Sequence, residues 1–488
     1  MKNWIPACDQ VADTTTPLIE DIFSGTDRQV GVFSYKYVGL ITNNYRNHGG
    51  GPLSPHVAYQ ETLRENLRTM KTFILITLLA TASLAQTLNT DEKRIADYID
   101  RNLDAEIALI AKMVDIESPT EDLAGVKSSG TLLQKKLAET GLATRWIDMP
   151  ATAKRAGHLF AESKGARGKR LLLLGHLDTV LRGEKYRRDG NTVYGTGISD
   201  MKGGNVIVVF ALKALHAAGV LKDTQIIVLL TGDEEDSCEP VAICRGDMIE
   251  AAKRSDLALS FEPTVRNTAT VGRRGSSSWT LEVEAKTGHS SQIFKESMGN
   301  GAIFEASRIL NEFRTQLSGE KYLTFNPSLF IGGTTATVKD SDGNASGKTN
   351  VVPAKVVVNG DLRFISEEQK EKARARMRDI VAKSLSGTKS AISFQDGIPA
   401  MTPVEGNYEL LKQLDKASRD LGLGGVEALD PGERGAGDIA FVSGIIPGLD
   451  GIGLGGGANS HAKGEYASVE TLAAITKRAA ILIYRLTR

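Results

Sequence analysis

The sequence predicts an α/β protein built on a mixed, mostly parallel sheet flanked by helices, with a ferredoxin-like βαββαβ domain inserted into it. Three observations carry that expectation. Residues 171–175, 225–230 and 257–261 are continuous apolar runs, as expected of strands buried on both faces. Helix-period segments separate them, and these supply the crossovers of such a sheet. From Ser276 the pattern changes to strict alternation, with Trp279, Leu281, Val283 and Ala285 on one side of a strand that has one wet face.

Taken in order, the first distinctive segment is 73–85, FILITLLATASLA, whose 13 residues are too few for a membrane-spanning helix of about 20 residues. Met70 and Lys71 precede it and Ser83, Leu84, Ala85 close it with a small-x-small pattern, so 70–85 reads as a secretory signal peptide. Residues 1–69, without a sustained period, read as upstream read-through or unstructured sequence. A secreted or periplasmic protein follows, with no stable membrane insertion after cleavage. Export permits disulfides. Cys238 and Cys244, in CEPVAIC, are placed for a bridge in a loop but awkwardly for one in a helix.

The first part of the catalytic domain is expected over 86–274, with helices near 92–115 and 205–219. The inserted domain is expected over 275–400: after the strand from Ser276 come a helix near 298–317, strands near 322–331 and 351–364, a charged helix over 366–385 and a strand near 391–394. A polar, glycine-rich segment, 339–348, reads as a long hairpin loop within it. Residues 401–488 complete the first domain. The chain has 488 residues, with 59 Lys plus Arg against 59 Asp plus Glu. That zero balance argues against a nucleic-acid binder, which needs excess basic charge to displace counterions.

The acids and histidines fall at informative places. His176 and Asp178 lie just past one buried run, Glu234 and Glu235 past the second, Glu262 past the third, and Asp200 in a glycine-rich turn before a helix. Ligands of open α/β sheets bind outside the carboxyl ends of the strands. Carboxylates gathered there would repel one another unless cations neutralised them, and imidazole plus carboxylate without thiolate suits zinc, with cobalt or manganese as alternatives. Among the other histidines, His461 sits in GGGANSHAKGEY, where glycines let backbone pass close to a site. His216 ends an alanine-rich helix and His158 has no acidic neighbour, so neither reads as a ligand. Asp236 reads as a solvated loop acid.

Together GHLD, GISDMKGG, GDEE, FEP and SHAKGE resemble the co-catalytic zinc metallopeptidases that include glutamate carboxypeptidase, acetylornithine deacetylase, succinyl-diaminopimelate desuccinylase and aminoacylase, over roughly residues 91–488. The pattern is most similar to the glutamate carboxypeptidases. The resemblance implies two zinc ions per subunit, with Asp200 bridging, His176 and Glu262 completing one set of ligands, and Glu235 and His461 the other. It implies Glu234 as general base toward a metal-bridged water and Asp178 as the carboxylate that orients His176. It further implies that the inserted domain is a lid and dimerisation domain. His289 would reach across a homodimer to the oxyanion, and Asn350 and Arg363 would hold the substrate carboxylate. The implied reaction is hydrolysis of an amide or peptide bond beside a C-terminal free carboxylate in a small peptide, with an N-acyl amino acid as the alternative substrate. A non-catalytic metal-binding protein on the same fold is the third reading, and Glu234 speaks against it. One position departs from the family: where glutamate carboxypeptidases carry a substrate-gripping arginine, this chain has Ile398, which cannot bind a carboxylate.

Overall fold

The computed structural model describes residues 88–339 and 341–488. The expected signal peptide at 70–85 and the residues before it lie outside the described residues. Three helices come first: α1 (Thr90–Arg101), α2 (Leu103–Val114) and α3 (Leu123–Ala138). A capping box starts α1, with Asn89 Oδ1 accepting from the Glu92 N–H and the Glu92 carboxylate accepting from the Asn89 N–H. The single helix expected over 92–115 is therefore two. At Asn102 the side-chain amide donates to the Tyr98 carbonyl at 2.7 Å, and a short amide that competes with the backbone in this way ends a helix.

The chain then forms β1 (Ala143–Ile147), β2 (His158–Glu162), β3 (Arg167–His176), α4 (Gly203–Ala217), β4 (Thr224–Thr231), α5 (Val241–Lys253) and β5 (Leu257–Ser260). It leaves for the inserted domain, made of β6 (Gly275–Ala285), α6 (Ala302–Leu317), β7 (Thr324–Gly333), β8 (Lys355–Phe364), α7 (Glu367–Val381) and β9 (Thr388–Asp396). It returns as α8 (Glu405–Asp420), β10 (Gly448–Leu449) and α9 (Leu472–Leu486).

The main sheet has the order β1-β2-β4-β3-β5-β10; the two pairs at the β1 edge are antiparallel and the other three parallel. Successive residues of β3 enter opposite cores. Leu171 and Leu173 pack with residues of α1 to α4, α8 and α9, whereas Leu172 and Leu174 pack with Met248, Ala251 and Ala252 of α5. This two-sided burial explains why the run contains no polar position. Helix α4 is likewise buried on nearly all sides, so NVIVVFAL needs no wet face.

The inserted sheet is antiparallel throughout, in the order β7-β8-β6-β9. Its two helices cover one face, where Trp279 of β6 meets Phe313 of α6 edge to face with ring centroids 5.8 Å apart. Two expectations are corrected here. The segment expected as a long hairpin loop over 339–348 is largely strand: Thr335–Lys339 and Asp342–Ser346 pair as a hairpin, which lies against β7 where a Cβ on Gly343 would collide with Ile331. The strand expected from 351 starts at Lys355, after Pro353, which has no N–H to give a ladder. The two crossings between domains run side by side, with Arg273 and Met401 exchanging backbone hydrogen bonds of 3.0 Å each. No helix among the described residues is long and apolar enough to cross a membrane.

Candidate metal centre

The acid-bearing segments meet beyond the C-terminal ends of three parallel strands. His176 closes β3 opposite Thr231 of β4, GDEE continues from β4, and Glu262 follows β5 by two residues. Two ligand-like sets result, His176 with Asp200 and Glu262, and His461 with Asp200 and Glu235. Asp200 belongs to both. Its Oδ1 is 3.1 Å from His176 Nε2 and its Oδ2 is 3.2 Å from His461 Nε2. Glu262 Oε1 lies 3.8 Å from His176 Nε2, and Glu235 Oε2 lies 3.1 Å from His461 Nε2. Glu234 stands beside the shared centre in a third grouping with His176 and Glu235.

The tautomer of His176 is set by what surrounds its other nitrogen. Nδ1 faces the Asp178 carbonyl at 3.1 Å and Asp178 Oδ1 at 3.4 Å, both acceptors, so an N–H sits there and Nε2 is the nitrogen that would be free to bind a cation in the cluster. Asp178 is fully buried. It also accepts from Thr120 Oγ1 at 2.7 Å and from the backbone N–H groups of Glu234 and Glu235 at 3.1 Å each, which ties the base segment to the histidine.

Electrostatics mark the cluster as incomplete without cations. Burial, then the charge of Asp200, pushes Glu262 up to about 8. Burial and the neighbouring acids raise Glu234 well above the carboxylate range. Burial also raises Glu235. Burial alone would push His176 down, but its bonds to Asp178 and Asp200 outweigh it and hold the ring well above its ordinary value. Hydrogen bonds to Asp200 and Glu235 raise His461 to about 10. Glu235 Oε1 is buried with no hydrogen-bond partner among the described residues. An orphaned carboxylate oxygen costs on the order of 1–3 kcal/mol or more. Two imidazole nitrogens and three carboxylates converging around such an oxygen fit a pair of divalent cations.

Several supporting residues have roles that the sequence pattern does not assign, including Glu465 at the end of the SHAKGE motif. Glu465, four residues past His461, is buried and accepts from the backbone N–H groups of Gly197, Ser199 and Asp200 at 2.6, 2.9 and 3.0 Å. It thereby locks the Asp200 turn to the His461 loop. That loop comes close because of its glycines: a Cβ on Gly453 would stand 1.9 Å from the Phe261 carbonyl oxygen, next to Glu262. Arg245, 1% exposed, bonds Asp233 Oδ1 and Asp438 Oδ1 at 2.7 Å each and so fixes the residue before the base. Behind Glu262, Arg273 Nη1 pairs with Asp450 Oδ2 at 2.7 Å.

The residues set aside on sequence grounds fall outside the cluster. His158 is buried, accepting from the Gly232 N–H on Nδ1 at 3.2 Å and facing the Cys244 carbonyl with Nε2 at 2.8 Å. His216 lies in the last turn of α4. Asp236 is exposed and pairs with Arg155. Cys238 and Cys244 are bonded, with Cα atoms 6.0 Å apart, and the bridge runs from a loop to the first turn of α5.

The inserted-domain residues divide into two places. His289 and Val351 bridge backbone to backbone, and the Ser290 N–H donates to the Asn350 carbonyl at 2.9 Å, so His289 and Asn350 sit together beyond the far end of the sheet. Arg363 pairs in register with Ser276, at the end nearest the metal domain. The eight residue steps of β8 between Lys355 and Arg363 span roughly 26 Å. The expectation that Asn350 and Arg363 hold one carboxylate fails within a single chain. Arg363 Nε instead donates to Asp361 at 2.9 Å.

With this geometry in place, comparison decides the family. The model of Peptidase family M20/M25/M40 matches residues 172–485, well over half of the chain. The chain belongs to that family. It is a metallohydrolase. Carboxypeptidase G2 of Pseudomonas sp. is 28% identical over 384 residues, covering 75% of this chain and 86% of that protein. The succinyl-diaminopimelate desuccinylase of Acidovorax ebreus is 28% identical over 297 residues, covering 56% and 72%. Among solved structures, the aminopeptidase PepT of Bacillus cereus has the same fold at a TM-score of 0.63 and 17% identity, covering 79% of this chain and 99% of that one.

Proposed function

We propose that this M20-family chain is a secreted, dizinc metallocarboxypeptidase that hydrolyses the amide bond next to a C-terminal free carboxylate. The observation that carries the reading is the shared position of Asp200, one oxygen toward each histidine, with Glu234 beside it. Cobalt or manganese would suit the same donors. Bound by these residues, divalent ions would supply Lewis acidity, lowering the pKa of a bound water and polarising the scissile carbonyl. Glu234, beside the shared centre and outside both ligand sets, takes a proton from the attacking water and delivers it to the leaving nitrogen. Asp178 keeps His176 in one tautomer throughout.

His289 donates to the oxyanion and Asn350 stands with it. Because both sit at the far end of the inserted sheet, they serve the site of a second copy in a homodimer, while Arg363 serves its own. An exposed aromatic pair supports that arrangement: Phe294 and Phe304 are 64% and 53% exposed with ring centroids 5.5 Å apart, close to His289 in the chain. Removal of an N-acyl group from an amino acid is the second reading, favoured by the desuccinylase relative, and uses the same groups. A panel of dipeptides, N-acyl amino acids and folate-like glutamyl amides, assayed on metal-loaded protein, separates them. No turnover of any amide with both metals bound would overturn both readings.

A further inference from the structure

We propose that Arg434 is the cation of the metal domain that reads the free carboxylate of the substrate, an inference that rests on the exopeptidase or deacylase reading above. Arg434 follows a short turn, Pro431–Glu433, in the segment that returns to the metal domain. Its Nη2 donates to the carbonyl of Pro263, the residue after Glu262, and its Nε donates to Thr270 Oγ1 at 3.3 Å. Gly451 makes room for the guanidinium, since a Cβ there would stand 3.0 Å from Nη2. The side chain is therefore held in one pose at the rim of the metal centre, within reach of the charges of Glu262 and Asp200.

The guanidinium is held but not neutralised. Asp450, the nearest candidate, gives Oδ2 to Arg273 at 2.7 Å and Oδ1 to the Gly451 N–H at 2.6 Å. Among the described residues no carboxylate oxygen lies within 4.0 Å of the Arg434 nitrogens, and Nη1 has no hydrogen-bond partner and is not fully enclosed. Once two divalent cations offset the acids of the centre, Arg434 is a positive charge without a carboxylate partner, anchored to the residue after Glu262. The segment also faces the inserted domain, because Tyr322 Oη donates to Asp430 at 3.3 Å. Ile398, by contrast, packs against the apolar cluster over α5 and offers nothing to an anion. The substrate carboxylate thus finds in Arg434 a fork whose orientation is already set, the form of recognition that guanidinium provides best.

The test compares wild type, R434Q and R434K on N-acyl amino acids and dipeptides, each as the free acid and as the C-terminal amide. Loss of one charge-assisted contact predicts that R434Q raises KM for the free acids by about 10- to 100-fold, leaves the amides unchanged, and alters kcat little. R434K should recover part of the loss. Equal losses on acid and amide, or none, would overturn the proposal, as would a fall in metal content or Tm that accounts for the whole effect. Equilibrium titration of N-acetylleucine and N-acetylleucinamide into the metal-loaded proteins separates the two levels. Wild type that cleaves neither ligand but binds the acid in an Arg434-dependent way refutes the proposed function alone, and wild type indifferent to the carboxylate refutes Arg434.

Discussion

Asp200 can face both histidines because its backbone is held from behind. Glu465 supplies that hold through three N–H groups, and a carboxylate accepting them stands where an amide would offer a single oxygen. E465Q should weaken metal binding about 10- to 100-fold, the usual cost of losing an outer partner of a ligand, with the protein still folded. Titration with a competing chelator measures it, and unchanged affinity would make Glu465 a purely structural acid. Glu234 should behave in the opposite way. E234Q removes a proton acceptor but no ligand, so turnover should fall by at least about 100-fold while both metals stay bound. Metal analysis by mass spectrometry checks it, and an emptied site would make Glu234 a ligand. These residues differ in how well they could be read from sequence. His176, Asp178, Glu234, Glu235 and Glu262 lie directly past apolar runs, so strand ends betray them. Glu465 acts on backbone 265 positions earlier, and a bond to main-chain N–H groups leaves no mark on the residue types at the other end.

Among the elements, the strands were legible because burial on both faces leaves a continuous apolar run, and β6 because one wet face leaves alternation. The break at Asn102 and the hairpin at 335–346 were not, because each depends on what a single amide or glycine meets in three dimensions. The contact between α2 and α9 hides another such feature. Glu106 of α2 is fully buried, receives one hydrogen bond from Thr476 of α9 at 2.7 Å, and leaves Oε2 without a partner among the described residues. Burial raises its pKa from 4.5 to about 8, so the folded protein keeps a proton that the unfolded chain releases at lower pH. Below about pH 4.5 both states hold the proton and nothing is lost; between about 4.5 and 8 stability falls as pH rises; above 8 the loss is complete. E106Q should lack this slope. Urea unfolding of both proteins at pH 5, 6, 7 and 8, with metal loading held constant, should show wild type losing about 3 to 4 kcal/mol relative to the variant across that range. Parallel curves would mean that water or relaxation keeps the carboxylate charged.

For the whole molecule, the inserted domain poses a problem of reach. Arg363 lies at the end of its sheet nearest the metal domain, and His289 with Asn350 at the other, roughly 26 Å away along β8. Strands do not shorten, so no closure that keeps the inserted sheet intact brings all three onto one substrate in one chain. A two-fold axis resolves this, because each copy can then lend its far end to the other's metal centre. The Phe294 and Phe304 surface beside that end supplies apolar area for the pairing. Two consequences can be measured together. The protein should be a dimer by light scattering, and H289A should reduce turnover by about 100- to 1,000-fold, as loss of one oxyanion donor does, without changing zinc content. Mixing H289A with E234Q distinguishes a donor in trans from one in cis. Each homodimer is impaired, but a mixed dimer contains one site with an intact base in one copy and His289 of the partner subunit, so activity should return toward a quarter of wild type if subunits exchange at random, by order-of-magnitude counting under two-fold symmetry. A mixture no more active than its components, with exchange demonstrated, would place His289 in its own chain's site and remove the dimer from the chemistry.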